Sequence, residues 1–302
     1  MQKATAIIVN WNTGKLLAEC LESLRNLPEQ GNLSRVILVD NNSNDNSLVE
    51  AESLVGEWPK LTIIKKTTNA GFAAANNEAA KFIKELGDND SHIWLLNPDT
   101  IVKPGALAAM IRVLETKPKA GVVGPHLFNA DGSEQLSVRQ FPSGMIMAGM
   151  LLKLPHFWKK WPRWQSYLMS GFDYSQAQIV DQVMGAAFLV RRQVWEKLNG
   201  LDEGFWIWFE EVDFCRRVQD AGWEVWYSPV GEIIHYGGAS FHQLVGFRKS
   251  WPWIKSSLRY TYKHLGRAQW LMILMLLPAA IGIAGAAAKS HFRDKNKNQS
   301  NL

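Results

Sequence analysis

An α/β fold with a mostly parallel central sheet flanked by helices is predicted by this 302-residue sequence. Two observations carry that expectation. Between residue 4 and about residue 125, four continuous apolar, β-branched runs alternate with stretches whose apolar residues recur at helical spacing. Short polar residues gather just after each run, where open α/β sheets place their ligand-binding loops.

The first run, residues 4–10 (ATAIIVN), is apolar almost throughout and reads as a strand covered on both faces. Leu16, Leu17, Cys20, Leu21 and Leu24 then form the single stripe of an amphipathic helix. Residues 35–40 (RVILVD), 61–66 (LTIIKK) and 92–97 (HIWLLN) repeat the strand pattern, and four strand–helix units in succession call for right-handed crossovers. Residues 126–200 are less regular. The stretch 145–169 mixes Met, Leu, Trp and Lys without a clean period, whereas residues 182–200 (QVMGAAFLVRRQVWEKLNG) read as a buried strand, a helix and a glycine turn. An acid-rich aromatic stretch follows at 204–217 (GFWIWFEEVDFCRR), then strand-like WEVWYS and EIIHYGG. The chain holds no internal repeat and no low-complexity linker.

After about residue 246 the character changes. Residues 247–267 are basic and aromatic, and residues 270–288 (WLMILMLLPAAIGIAGAAA) are uncharged for about the length of a bilayer core. These features predict one domain over 1–245 and an appendage over 246–302. The appendage would comprise a linker, a hydrophobic membrane-associating helix at about 270–288, either a single span or a re-entrant or interface-lying hairpin about Pro278, and a basic tail. Attachment through this C-terminal region would place the protein at the cytoplasmic face of the cell membrane. Lys153, Trp158, Lys159, Lys160, Trp161 and Trp164, with residues 248–267, would then face an anionic membrane surface.

The composition, 47% hydrophobic and 20% charged, is that of an ordered globular protein. An excess of 33 Lys and Arg over 28 Asp and Glu, a net +5, favours anionic partners such as phosphates or lipid head groups without choosing between them. Cys20 and Cys215 are the only cysteines, both beside apolar neighbours, so buried reduced thiols are expected and a disulfide framework is excluded. The N-terminal apolar run is too short for a secretory signal.

The polar loops carry the chemistry. NWNTG (10–14), DNNSNDNS (40–47), NAGFAAANN (69–77) and NPDT (97–100) each suit turns and helix caps, but gathered at one sheet edge they form a concave mouth of amides and carboxylates. Asp40 there can accept hydrogen bonds from a nucleobase or ribose, and Asn69 and Gly71 let backbone approach a ligand closely. Asp99, at a strand end, needs hydration, a hydrogen bond or a cation. A nucleoside diphosphate bridged to Asp99 through a hard divalent ion suits this mouth. Neither a GxxxxGK[ST] phosphate loop nor a GxGxxG turn nor a GxSxG elbow is present, and no His or Cys spacing resembles a zinc site. The basic residues lack a nucleic-acid-binding pattern. Among seven scattered histidines, His235 stands out at a strand end beside glycines.

Together IIVNWN, LVDNNSNDNS, NAGFAAANN, LLNPDT, the segment 183–225 from VMGAAF to GWEV, and HYGGAS resemble the family 2 inverting glycosyltransferases, most closely the bacterial rhamnosyltransferase-like branch that builds surface polysaccharides. The likeness covers roughly residues 4–240. It implies a GT-A fold, a nucleotide-sugar donor and a divalent metal, Mg²⁺ or Mn²⁺. On matching positions, Asn10, Asp40 and Asp45 would line the nucleoside pocket with Asn69 and Gly71 beside it. Asp99 would be the last acid of the DxD motif, here Asn97, Pro98, Asp99 without the first acid, and His235 an added metal or diphosphate contact. The family's Glu–Asp pair stands here as Glu210 and Glu211. Glu211 would hold the general-base position with one extra methylene, and Glu210 is the second candidate. Trp206 and Trp208 would offer platforms for sugar or acceptor, and Asp213 would pair with Arg216 and Arg217.

The expected reaction moves a sugar, rhamnose from dTDP-rhamnose in this branch, onto a lipid-linked or growing surface glycan with inversion. Alternatives are a UDP-hexose or UDP-galactofuranose donor on the same scaffold, or a catalytically silent membrane-bound scaffold. Oligomeric state is not legible from these features.

Overall fold

Every residue of the first strand, β1 (Ala4–Asn10), is buried, as its uniform apolar run requires. The computed structural model describes residues 2–154, 160–238 and 247–299, the side chains of 247–249, 284 and 286–299 excepted. From β1 the chain passes through α1 (Leu16–Arg25) to β2 (Leu33–Asp40), through α2 (Ser47–Leu54) to β3 (Leu61–Lys65), and through α3 (Phe72–Glu85) to β4 (His92–Leu96). β5 (Thr100–Val102), α4 (Ala106–Thr116) and β6 (Ala120–Phe128) follow. The irregular middle holds β7 (Val138–Arg139), α5 (Gly144–Leu151), α6 (Pro162–Tyr167), β8 (Gln178–Ile179), β9 (Gln182–Val183) and β10 (Ala187–Val190). Then come α7 (Arg192–Lys197), α8 (Glu210–Asp220), β11 (Glu224–His235), α9 (Phe247–His264) and α10 (Arg267–Gln299).

The main sheet runs β3-β2-β1-β4-β10-β6-β11-β5, with β8 on the flank of β11 and β7–β9 as a separate pair. β3, β2, β1 and β4 are parallel, as the strand–helix alternation predicts. The other half is mixed, because β10 enters antiparallel between β4 and β6 and β5 lies antiparallel on β11. An apolar run such as AFLV marks a buried strand but carries no direction. Successive residues of β1 serve opposite faces: Ile8 packs with Leu17, Leu21 and Leu107, Ile7 with Ala79, Phe188 and Phe214. With both faces covered, the polar residues at the strand ends are left at the sheet's rim.

The predicted membrane helix at 270–288, and the attachment to the membrane through the C-terminal region that depended on it, are corrected by the structure. Among the described residues no helix is long and apolar enough to cross a membrane. The run begins inside α10, and its inward side chains have protein to bury against. Ile273 and Ala280 share a core cluster with Met147 and Leu151 of α5, Ile254 and Tyr260 of α9, and Phe205, Phe209 and Val212, with Met272, Leu276 and Leu277 packed on it. The expectation failed because it treated the upstream domain as already closed, whereas α5 and the segment before α8 present an apolar face that α9 and α10 cover. Trp164, assigned to a membrane surface, is buried beside Tyr167. Trp158 and Lys159 lie outside the described residues, as do the side chains beyond Gly285.

Ile273→Ala is expected to cost about 2–5 kcal/mol in urea unfolding. Met275→Ala, on the same helix but 76% exposed against 1% for Ile273, should cost less than about 0.5 kcal/mol. Equal costs would remove the packing explanation.

Candidate active site

The four polar loops do meet at one rim, but not all of their side chains open onto it. Asn10 and Asp40 are buried beneath it and bonded to each other, Asn10 Nδ2 donating to Asp40 Oδ1 at 2.9 Å and also to Ser47 Oγ at 2.8 Å. The Ser43 backbone N–H donates to Asp40 Oδ2 at 3.1 Å. Exposed Asp45 accepts from the Gly14 backbone and from Ser47, and these hydrogen bonds hold its carboxyl below the usual range against the opposing effect of burial. These three acids and amides therefore tie the loops after β1 and β2 together.

Above them lies a cavity of about 520 Å³, lined by Asn69, Gly71, Asp99, His235, Trp206, Trp208, Glu210 and Glu211 among others. Asn69 Oδ1 accepts from Asn41 Nδ2 and from the Gly71 backbone, both at 2.9 Å. Gly71 has φ +90°, and a Cβ there would stand 2.5 Å from the backbone oxygen of Trp206. Only glycine permits this contact, in which the Phe72 N–H donates to Trp206 O at 2.7 Å. The Trp206 ring meets Trp11 edge-on, with centroids 6.3 Å apart.

Asp99 and His235 come together through the β5–β11 ladder, where His235 faces Thr100. Their Oδ1 and Nε2 atoms are 3.4 Å apart, and Asn97 Nδ2 is 3.3 Å from the same Nε2. Gln135 sets the imidazole. Its amide nitrogen donates to Asn129 Oδ1 at 2.8 Å, so its oxygen, 2.9 Å from His235 Nδ1, accepts from Nδ1–H and leaves the lone pair on Nε2. A carboxylate oxygen and an imidazole lone pair thus face one point of the cavity wall. Among the described residues no group of three or more His, Cys, Asp or Glu could hold a metal alone. The donor set fits a hard divalent ion whose remaining ligands come from water and substrate phosphate, and does not make a preformed cage.

Glu210 and Glu211 begin α8 just after Trp208 and Phe209, both of which have left-handed backbone, φ 62° and 69°. That turn aims the helix's first acids at the cavity. Glu210 is buried and Glu211 partly so, and Oε2 of each is buried without a hydrogen-bond partner among the described residues. Burial drives both carboxyls upward, and for Glu210 the neighbouring Glu211 charge adds to it. For Glu211, the N–H groups at the helix start and the Arg139 charge offset part of the rise. Both carboxyls therefore favour the neutral form more than an ordinary glutamate does, and the two titrate as a pair.

Asp213 does not open onto the cavity. It is fully buried and held by Arg217 at 2.7 Å, Lys263 at 2.7 Å and His264 at 2.7 Å, which outweigh burial and keep its carboxyl below the usual range. Arg216 pairs instead with Asp220.

Residues 5–198 match the family model described as Glycosyl transferase family 2. The chain belongs to that family. It is 30% identical over 236 residues to the N-acetylglucosaminyl-diphospho-decaprenol L-rhamnosyltransferase of Mycobacterium tuberculosis, covering 76% of this chain and 75% of the relative. It is 32% identical over 200 residues to rhamnosyltransferase WbbL of Escherichia coli, covering 63% of this chain and 69% of the relative. The solved mannosyltransferase PcManGT from Pyrobaculum calidifontis, in complex with GDP-Man and Mn²⁺, matches 95% of this chain and 74% of that chain with a TM-score of 0.56 and 15% identity. GalNAc-T7 with UDP, GalNAc and Mn²⁺ matches 78% of this chain at a TM-score of 0.59 and 15% identity, and this chain spans 44% of its length. At such identity the structural likeness is one of fold, a GT-A-like mixed sheet with helices. The family match makes the protein a glycosyltransferase.

Several cavity residues of this family 2 glycosyltransferase escaped the sequence reading: Trp11, Asn41, Arg139 and Tyr167, with Gln135 behind His235. Asn41 stands inside DNNSNDNS and Trp11 inside NWNTG, so both lay within a recognised loop, and Asn97, read only as the missing acid of the DxD motif, faces His235. Arg139 and Gln135 come from the less regular region 126–200, and nothing in their local pattern marks them.

Glu210→Gln is expected to raise Tm at pH 8 by ~1–2 °C, the shift that about 1 kcal/mol produces in a chain of 302 residues. A carboxyl raised in the folded state stabilises below its unfolded pKa and loses that contribution as pH rises toward the folded value. The variant's advantage should therefore shrink toward pH 4 in a thermal-melt series.

Proposed function

We propose that the protein transfers one sugar with inversion from a nucleotide-sugar donor to a hydroxyl of a lipid-linked glycan, with dTDP-rhamnose as donor and a polyprenyl-diphosphate-linked sugar as acceptor. The observation that carries this reading is the convergence of Asp99 and His235 with Glu210 and Glu211 on one cavity. The two groups suit the two ends of a single displacement. The rhamnosyltransferase names of the Mycobacterium tuberculosis and Escherichia coli relatives support the sugar, and the diphospho-decaprenol in the first supports the acceptor.

In this mechanism Glu211, ionised and partly desolvated, takes the proton of the acceptor hydroxyl as that oxygen attacks the anomeric carbon. Its raised pKa makes it a stronger base than an ordinary glutamate. Burial and the Glu211 charge push the Glu210 carboxyl up, which favours its neutral form beside the reacting oxygen. Asn69 and Gly71, with Trp11 and Asn41, meet the nucleoside, while Asn10, Asp40 and Asp45 hold its loops from beneath. Trp206 and Trp208 wall the sugar from water. Asp99 and His235 would hold a divalent cation, Mg²⁺ or Mn²⁺, which would supply positive charge against the departing diphosphate. Attack from the face opposite the nucleotide inverts the anomeric centre.

Purified protein should turn over dTDP-rhamnose in preference to UDP- and GDP-sugars, and only with Mg²⁺ or Mn²⁺ present. Glu211→Gln should keep donor affinity while losing turnover by about 10²–10⁴-fold. The wild-type rate should fall as pH drops through a pKa above that of an ordinary glutamate. Binding of no nucleotide sugar at all would sink the reading.

A further inference from the structure

The cavity is unequal in charge. Three carboxyl groups line it, Asp99, Glu210 and Glu211, and among its described lining residues Arg139 is the one lysine or arginine. Arg139 lies on β7, opposite Gln182 of β9, in the stretch that begins at Gln135 behind His235. From 135 to 139 the chain can cover at most ~14 Å, and Ser137 lines the cavity between them. The stretch thus leaves His235 and Asp99 and arrives beside the general base, since Arg139 is the cation that acts on both Glu211 and Tyr167.

Arg139 does not use its donors on those neighbours. Among the described residues no carboxylate pairs with it within 4.0 Å and no side-chain hydrogen bond engages its guanidinium. An arginine that served only to keep Glu211 ionised would gain most by bonding to it directly. Instead a planar fork of N–H groups is presented to the cavity beside the base, and that fork matches the oxygens of a phosphate two at a time.

We propose that Arg139 is the anion anchor of the acceptor side of the cavity: it grips a phosphate attached to the acceptor sugar and so selects glycosyl diphosphates over neutral glycosides. This rests on the reading above that Glu211 marks the acceptor end and Asp99 with His235 the leaving-group end. Gripping the phosphate fixes the acceptor ring at one end, so that a single hydroxyl reaches Glu211. Arg139 is then a residue that determines acceptor specificity as well as a charge near the base.

The test is a binding titration by intrinsic tryptophan fluorescence, for which Trp11, Trp206, Trp208 and Trp253 lie at the cavity. The probes are decyl N-acetylglucosaminyl diphosphate, the neutral decyl N-acetylglucosaminide, and dTDP. Wild-type protein is expected to bind the diphosphate about tenfold or more tightly than the neutral glycoside, as one bidentate charge-assisted contact implies. Arg139→Gln should reduce that preference to within about twofold while leaving dTDP affinity in place, and Arg139→Lys, which keeps the charge, should fall between. No preference in the wild type, a preference that survives in Arg139→Gln, or a loss confined to dTDP would each overturn the proposal. So would a variant whose only change is an upward shift of the pH–rate profile, since that is what tuning of Glu211 alone would produce. The titration needs no turnover. Absence of transfer from every donor would therefore defeat the proposed function and still leave the anion preference to be read.

Discussion

Two carboxyl groups on adjacent residues, Glu210 and Glu211, are brought out of water side by side, and much of the surrounding structure makes that placement tolerable. Burying one charge without a partner is costly, and burying two in contact is more so. The fold answers in three ways. The acids sit at the N-terminus of α8, where free backbone N–H groups favour negative charge. Burial pushes both carboxyls up, toward the neutral form. The third acid of the same turn, Asp213, is removed from the problem by Arg217, Lys263 and His264.

Those partners of Asp213 explain why the C-terminal helices belong to the site. Lys263 and His264 end α9, and Lys263 with Arg259 also holds Asp202, at 2.8 and 2.7 Å, upstream of the acids. Ser256 Oγ donates to Ile207 O at 2.7 Å between these two anchor points. The loop that delivers Glu210 and Glu211 is therefore clasped along its length by α9. α10 in turn covers α9 and α5 with the apolar residues of its first turns. A pair of helices whose composition looks like a separate appendage works as the outer wall of the acid pair.

The inner wall is set by one backbone contact. Gly71 and Phe72 open α3 against Trp206, so the α3 side of the cavity and the segment leading into Glu210 and Glu211 meet across a boundary one residue thick. Strain at Trp208 and Phe209 is concentrated where that boundary turns into α8. The two sides of the cavity are thereby held in a fixed relation by elements far apart in sequence. The proposed in-line displacement would require that relation.

The first half of the fold was legible in the sequence because its signals are local. A strand buried on both faces must be apolar throughout, and a helix over a sheet must carry a 3.6-residue stripe, so residues 4–10, 16–25, 33–40, 61–65 and 92–96 announce themselves. The loops that carry Asn69, Gly71, Asp99 and His235 were legible for the same reason, since they follow strand ends. Only the tertiary structure decided the rest. Strand direction at β10 depends on where the chain returns, and the choice between buried loop support and cavity lining separated Asp40 from Asn41, one residue apart. Whether the apolar residues of 270–280 meet lipid or protein depends on a surface assembled from α5, α9 and residues 205–212, which no window of sequence contains. Arg139 and Gln135 reached the site by the same route: their functions come from distance to Glu211 and His235, about 70 to 100 residues away along the chain, and periodicity carries no information about such neighbours.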